Sequence, residues 1–187
     1  MYLKNNMSLK KYLAKYAYSL NKNKINLSSG SKSNEYIDCR YALSIPSVLY
    51  GVAEEVFEKI NIPSVSAIGG LTMGADPIAI SVSFYSANYH PLNWFSIRKQ
   101  PKEHGKNKLI EGKVSSGDNV VIVDDVITSG NSVIKAIKAC ENEGINVSQV
   151  IGLVDRCEGG IENIKEHVKD VSCICNIKDL RMLNILR

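Results

Sequence analysis

The chain predicts an α/β architecture, with a central, mostly parallel sheet flanked by helices, and three observations lead there. From Ser64 onward, short apolar runs bounded by turn residues alternate with stretches of helical periodicity, the pattern of strands joined by crossover helices. Residues 120–123, VVIV, are apolar without alternation, as a strand covered on both faces must be. A length of 187 residues with 44% hydrophobic content suffices for one core of ordinary size, so a single domain over 1–187 is expected.

Taken in order, Leu9, Tyr12, Leu13, Tyr16, Ala17 and Leu20 fall at helical spacing behind Ser8. They predict an amphipathic first helix capped by Ser8. Lys10, Lys11 and Lys15 would also suit a membrane surface, but a short helix carrying tyrosines reads first as a cover for the core. Residues 26–40 begin rich in Ser and Gly, predicting a loop, and alternate over 35–38 like a short strand. Ser44 then offers an N-cap with Pro46 just inside, opening a buried helix through Val48, Val52, Val56 and Ile60. Residues 64–70 form a strand ending in glycines, followed by a loop and a helix over 71–84. GGLTMGADP (69–77) lacks the GxGxxG spacing of a dinucleotide fingerprint.

Another strand covers 92–98, with Trp94 as its expected packing anchor. Over 98–112, Arg98, Lys99, Lys102, Lys106 and Lys108 crowd together with His104, broken by Pro101 and Gly105. Without apolar periodicity such a segment cannot offset its ordering entropy by burial, and mobility until an anion arrives is expected. Taken alone, a charge run of this kind reads as a solvated surface loop.

The VVIV strand runs into Asp124 and Asp125, then Val126 and Ile127, then Thr128, Ser129, Gly130, Asn131 and Ser132. A helix is predicted from Val133 to about Glu143, with Gly144 as its C′ residue. A small hydroxylated loop at the carboxyl end of a buried strand can wrap a phosphate, helped by the following helix N-terminus. Two carboxylates beside it would repel phosphate directly. They suit sugar hydroxyls, or a magnesium ion or its waters. Residues 149–156 form the next strand, delivering Asp155 and Arg156; a helix over 161–168, a strand over 172–177 and a closing helix over 178–187 complete the chain.

Net charge is +4, short of the concentrated basic face of a nucleic-acid binder. No window approaches 18 uninterrupted apolar residues and the N-terminus lacks a signal-peptide core, so a soluble, cytoplasmic protein with no membrane partner is expected. Cys39, Cys140, Cys157, Cys173 and Cys175 are odd in number and hold no CxxC pair. Reduced, mostly buried thiols are expected rather than disulfides or zinc. Cys173 and Cys175 are expected on one strand face.

The 120–132 stretch resembles the 5-phosphoribosyl 1-pyrophosphate (PRPP) motif of type I phosphoribosyltransferases. SSGSKSNEYID (28–38), GGLTMGADP, RKQPKEHG (98–105) and VDR (154–156) resemble, in the same order, segments of the orotate phosphoribosyltransferases. The resemblance implies the type I phosphoribosyltransferase fold, with a small N-terminal hood from 1–40 and 98–112 as a flexible catalytic loop. It implies transfer of phosphoribose from PRPP to orotate, giving orotidine 5′-monophosphate and pyrophosphate in pyrimidine biosynthesis. Catalytic roles fall to Lys102, Asp124 and Asp125. PRPP would be held by Arg98, Lys99, Lys102, His104, Asp124, Asp125 and the run Val126, Ile127, Thr128, Ser129, Gly130, Asn131 and Ser132. Orotate would meet Thr128 and Arg156, the latter at its carboxylate. Mg²⁺ is implied as cofactor, bound mainly through substrate without direct protein ligands. A homodimer sharing the catalytic loop across its interface is implied as well, with no nucleic-acid partner.

Two positions depart from the family pattern: Ser28 and Met73 stand where some members carry lysine. A purine phosphoribosyltransferase shares the PRPP motif, but purines lack the carboxylate that Arg156 would serve. A PRPP-sensing regulator would be expected to carry a DNA-binding module and a degraded loop, whereas this loop keeps Lys102 and His104.

Overall fold

The computed structural model describes residues 8–26, 32–62, 64–100 and 108–185. Helix α1 (Leu9–Tyr16) leads into an antiparallel hairpin of β1 (Tyr18–Asn26) and β2 (Lys32–Ile37). Helices α2 (Cys39–Leu43) and α3 (Pro46–Lys59) follow, then β3 (Ala67–Leu71), α4 (Ala75–Ser86), β4 (Asn93–Ile97) and β5 (Ile110–Gly112). The second half runs β6 (Asn119–Ile127), α5 (Asn131–Asn142), β7 (Asn146–Asp155), α6 (Gly160–Lys165), β8 (Val171–Asn176) and α7 (Ile177–Ile185).

Strands β3 to β8 form one sheet in the order β5-β4-β3-β6-β7-β8, parallel throughout except for β5, which runs against β4. Alternation along β6 builds a core on each face. Val121 and Val123 join Ile68, Ile151 and Leu153 beneath α1, α2, α3, α4 and α7. Val120 and Ile122 join Phe95, Ile137 and Ile164 beneath α5 and α6. Covering both faces explains why VVIV has no polar member.

Several boundaries differ from expectation, each for a physical reason. The first helix ends at Tyr16, because the residues after Ala17 pair in the hairpin: Tyr18 with Ile37, Leu20 with Glu35. Ser8 occupies the N-cap position but its side chain makes no capping bond. The strand expected at 35–38 begins at Lys32. Ser44 closes α2, its hydroxyl donating to the Tyr41 carbonyl at 2.7 Å, and Ile45 takes the N-cap place before Pro46. Trp94 is 41% exposed, while its neighbour Phe95 is fully buried and anchors β4. The strand's pleat sends adjacent side chains to opposite faces, and Phe95 holds the covered one. Cys173 packs against the core under α5 and α6, whereas Cys175 lies in the other. Gly144 adopts φ +71 just past α5, the left-handed residue its position required.

Candidate active site

Strands β3 and β6 are neighbours in the sheet, yet the chain reaches β6 only after building β4 and β5 on the far side of β3. This is a topological switch point, where crossover connections diverge and open a crevice at the strands' carboxyl ends. Three rungs join the two strands: Ala67 with Val120, Ile68 with Val121, and Gly69 with Ile122. Beyond them lies a cavity of about 480 Å³. Leu71, Thr72, Met73 and Gly74 wall one side, Asp124, Asp125, Val126, Thr128 and Ser132 the other, and Tyr36, Ile37, Asp38 and Arg40 close it from the hairpin side. Lys99 and Arg156 complete the lining.

The two acids are held by the strand that carries them. The Asp125 N–H donates to Asp124 Oδ1 at 3.1 Å, and the Val126 N–H donates to Asp125 Oδ1 at 3.0 Å. Asp124 is only 8% exposed. Burial first, and the neighbouring Asp125 charge second, push its pKa up to about 8. Burial also raises that of Asp125, against the opposing pull of the Val126 N–H and Arg40. Across the cavity, a Cβ on Gly74 would stand 2.5 Å from Asp125 Oδ1 and 3.2 Å from Asp124 Oδ1. The 72–74 turn thus meets the acid pair in direct contact. It is tied down from behind, because Asp76 accepts from Thr72 Oγ1 at 2.5 Å and from Ser96 Oγ at 2.7 Å.

The loop after β6, 128–130, ends in Gly130, at φ +80, immediately before α5. A Cβ there would stand 2.8 Å from the Gly160 carbonyl oxygen, and one on Gly160 would stand 2.3 Å from the Thr128 carbonyl oxygen. Asn163 Nδ2 donates to the Ser129 carbonyl at 3.0 Å. Loop and α6 therefore fit backbone to backbone. The first N–H groups of α5 have no acceptor within their own helix and face outward with the positive end of its dipole. Together with the Thr128 and Ser132 hydroxyls they are groups of the kind that can receive an anion.

Arg156 also lines the cavity, a buried guanidinium on a residue that is 8% exposed. Its backbone N–H donates to the Ile127 carbonyl at 2.9 Å, and its Nε donates to Glu158 Oε1 at 2.8 Å. The hairpin is clasped to the closing helix nearby: Arg181 Nε donates to Glu35 Oε1 at 2.6 Å and its Nη2 to Oε2 at 2.5 Å, while the Tyr18 hydroxyl donates to Oε1 at 2.5 Å. Bonding from Arg181 is the main cause that lowers the Glu35 carboxyl, outweighing its burial, and Arg156 adds a smaller push the same way. Tyr18 is pushed up to about 12, by burial first and Glu35 second.

Of the residues expected in the site, Lys99, Asp124, Asp125, Val126, Thr128, Ser132 and Arg156 line the cavity together. Gly130 shapes the loop, with Ser129 partly buried and Asn131 exposed beside it. Ile127 sends its side chain into the core, leaving its backbone to the site. Arg98 is exposed at the end of β4, its Nε directed to the Gln100 carbonyl at 3.4 Å. Lys102, His104 and Ser28 lie outside the described residues. Tyr36 and Asp38 belong to the segment whose resemblance implied a base-pocket lining, and Thr72 and Gly74 to the one whose resemblance implied a pyrophosphate loop, but sequence reasoning named none of them singly, and it left out Arg40 altogether. The signal for Thr72 and Gly74 was present in GGLTMGADP, whose glycines mark a close backbone approach.

Comparison with known proteins bears on the same region. Residues 93–181 match the phosphoribosyl transferase domain model. The chain is 41% identical over 141 residues to orotate phosphoribosyltransferase of Aquifex aeolicus, covering 75% of this chain and 77% of that one. It is 39% identical over 155 residues to that of Methanocaldococcus jannaschii, covering 83% and 85%. Among solved structures, Mycobacterium tuberculosis orotate phosphoribosyltransferase in complex with PRPP aligns with a TM-score of 0.74 at 28% identity, over 92% of this chain and 96% of that one.

Proposed function

The chain belongs to the orotate phosphoribosyltransferase family, and from that premise we infer that it transfers phosphoribose from PRPP to orotate, releasing pyrophosphate and forming orotidine 5′-monophosphate in pyrimidine biosynthesis. One observation carries the choice of acceptor. Arg156, buried in the cavity's lining, offers a planar cation to a base that bears a carboxylate.

Displacement at the anomeric carbon builds positive charge on the ribose and negative charge on the departing pyrophosphate, so positioning and electrostatics are the protein's task. The 5′-phosphate fits the cradle of Thr128, Ser129, Gly130, Asn131 and Ser132. Asp124 and Asp125 accept from the ribose hydroxyls and fix the ring against the 72–74 turn. Lys99, with Arg98, Lys102 and His104 of the catalytic loop, answers the charge of the leaving group. Closure of that loop excludes water that would otherwise hydrolyse PRPP.

Mg²⁺ fits this site. Two adjacent carboxylates whose charge is suppressed by burial gain from a cation approaching through its waters. In this reading substrate oxygens would be its principal ligands. Bound there, the ion would neutralise pyrophosphate charge.

Residues 1–187 are read as one domain with 1–40 as its hood. The assembly is read as a homodimer that exchanges the 98–112 loop; exposed apolar side chains, Phe84 and Ile80 on α4 at 84% and 46% and Trp94 on β4 at 41%, would suit a contact between subunits. The place of action is the cytoplasm; among the described residues no helix is long and apolar enough to cross a membrane.

The test follows orotate by its ultraviolet absorbance with PRPP and Mg²⁺, beside adenine and hypoxanthine controls. Consumption of orotate alone, lost on chelation and severely reduced in Lys102→Ala, supports the reading. Turnover of a purine instead would overturn the role given to Arg156, and tight PRPP binding without turnover would point to a regulator.

A further inference from the structure

A guanidinium presents two edges to carboxylates: a side edge through Nε and one Nη, and an end edge through both Nη groups. In Arg156 the Nε is taken by Glu158, and Glu158 is the acid paired with it among the described residues. Glu35 has its two carboxylate oxygens engaged by Arg181. The backbone is bent to make the Glu158 contact. Cys157, between the two partners, adopts φ +57, a left-handed conformation uncommon for a side chain of this kind. Its N–H is received by Asp155 Oδ1 at 2.8 Å, which helps to hold the turn. This turn folds the chain so that a residue two positions on returns to the guanidinium. A strained residue maintained beside a substrate-facing side chain points to a functional constraint.

We propose that Glu158 is a specificity-determining positioning residue: by holding Arg156 through Nε, it leaves the end edge of the guanidinium directed at the carboxylate of the acceptor base. The proposal rests on the reading of Arg156 as the orotate-carboxylate partner. Glu158 does not touch the reacting atoms. It acts through the orientation of a cation, so its effect falls on binding of the carboxylate-bearing base and spares PRPP and the chemical step.

The experiment compares wild type, Glu158→Gln and Glu158→Ala in the full-length protein, measuring kcat, KM for orotate, KM for PRPP, thermal midpoint, and inhibition by uracil, which is orotate without the carboxylate. Expected is a rise in orotate KM of about tenfold for Ala, in line with a lost charge-assisted bond, with a smaller rise for Gln, which keeps an acceptor oxygen. The PRPP KM, kcat and uracil inhibition should stay near wild type. An unchanged orotate KM in both variants overturns the proposal. So does a parallel loss of orotate and uracil binding, or a lowered thermal midpoint with every kinetic constant affected, because either marks a merely structural role. If wild type fails to turn over orotate, the functional reading itself fails, and the two failures are separable.

Discussion

Gly74 shows how little room the site leaves at the scale of one residue. A methyl group there would meet Asp125 Oδ1 at 2.5 Å, although nothing in the helical backbone at Gly74 itself requires glycine. Gly74→Ala is therefore expected to fold normally by circular dichroism and to lose about 100-fold in kcat, the cost of displacing a positioned group by about an ångström. Asp124 makes the opposite exchange visible. Its folded pKa of about 8 lies above the ordinary value of 3.8, so between those limits the unfolded chain releases a proton that the folded one retains. Stability from this group is thus present below about pH 4 and is lost as pH rises toward 8. Asp124→Asn should be more stable than wild type at pH 8, by roughly 1–2 kcal/mol, with the gain shrinking toward pH 4. Thermal melts across that range, set beside a turnover assay in which the variant is crippled, would check both halves. Sequence reasoning could pick out the acid pair because the residue types and their place after an apolar run carry the information. Gly74 was harder, because its neighbour is distant in sequence and supplied only by the fold.

Among elements, the hairpin is seated by Tyr18 and Ile37 in the core and clasped to α7 through Glu35 and Arg181. Arg181 is partly exposed, so breaking its pair with Glu35 should cost under about 1 kcal/mol of global stability. The kinetic effect is expected to exceed the thermodynamic one: Arg181→Met should raise the orotate KM, because β2 carries Tyr36 and Ile37 into the cavity wall, and leave the PRPP KM nearly unchanged. The loop before α5 behaves differently. Gly130→Ala forces a left-handed residue with a side chain against the Gly160 carbonyl, at about 1–2 kcal/mol. Here the PRPP KM should rise and the melting temperature fall together. Sheet strands and long helices were legible because burial on both faces and 3.6-residue periodicity are written in consecutive residues. The strand β1 was not, because Ala17 and Leu20 continue the helical spacing of α1, and pairing of Tyr18 with Ile37 and of Leu20 with Glu35 overrides that local preference. Trp94 was misjudged for a related reason: size argues for burial, but which side of the pleat is covered depends on partners elsewhere in the chain.

For the whole molecule, the proposed shared-loop dimer predicts complementation. Equal mixing of Lys102→Ala and Asp125→Asn subunits should restore about a quarter of wild-type activity, since half the dimers are hybrids and each regains one complete site. A mixture no more active than its parents would place loop and acids in the same subunit. The order of strands was only partly readable, since alternation fixes parallel pairing but not that β3 and β6 become neighbours. That adjacency has a mechanical consequence. Three rungs from Ala67 to Gly69, with the Ser66 N–H bonded to the Asn119 carbonyl just before them, stitch one half of the sheet to the other, and the two halves furnish opposite walls of the same crevice. A substrate spanning that crevice acts as a rivet across a short seam. Amide hydrogen exchange along Ala67, Ile68 and Gly69 should accordingly slow on PRPP binding more than exchange along the longer β6–β7 junction, with the reactant serving as one of the fasteners of the fold that consumes it.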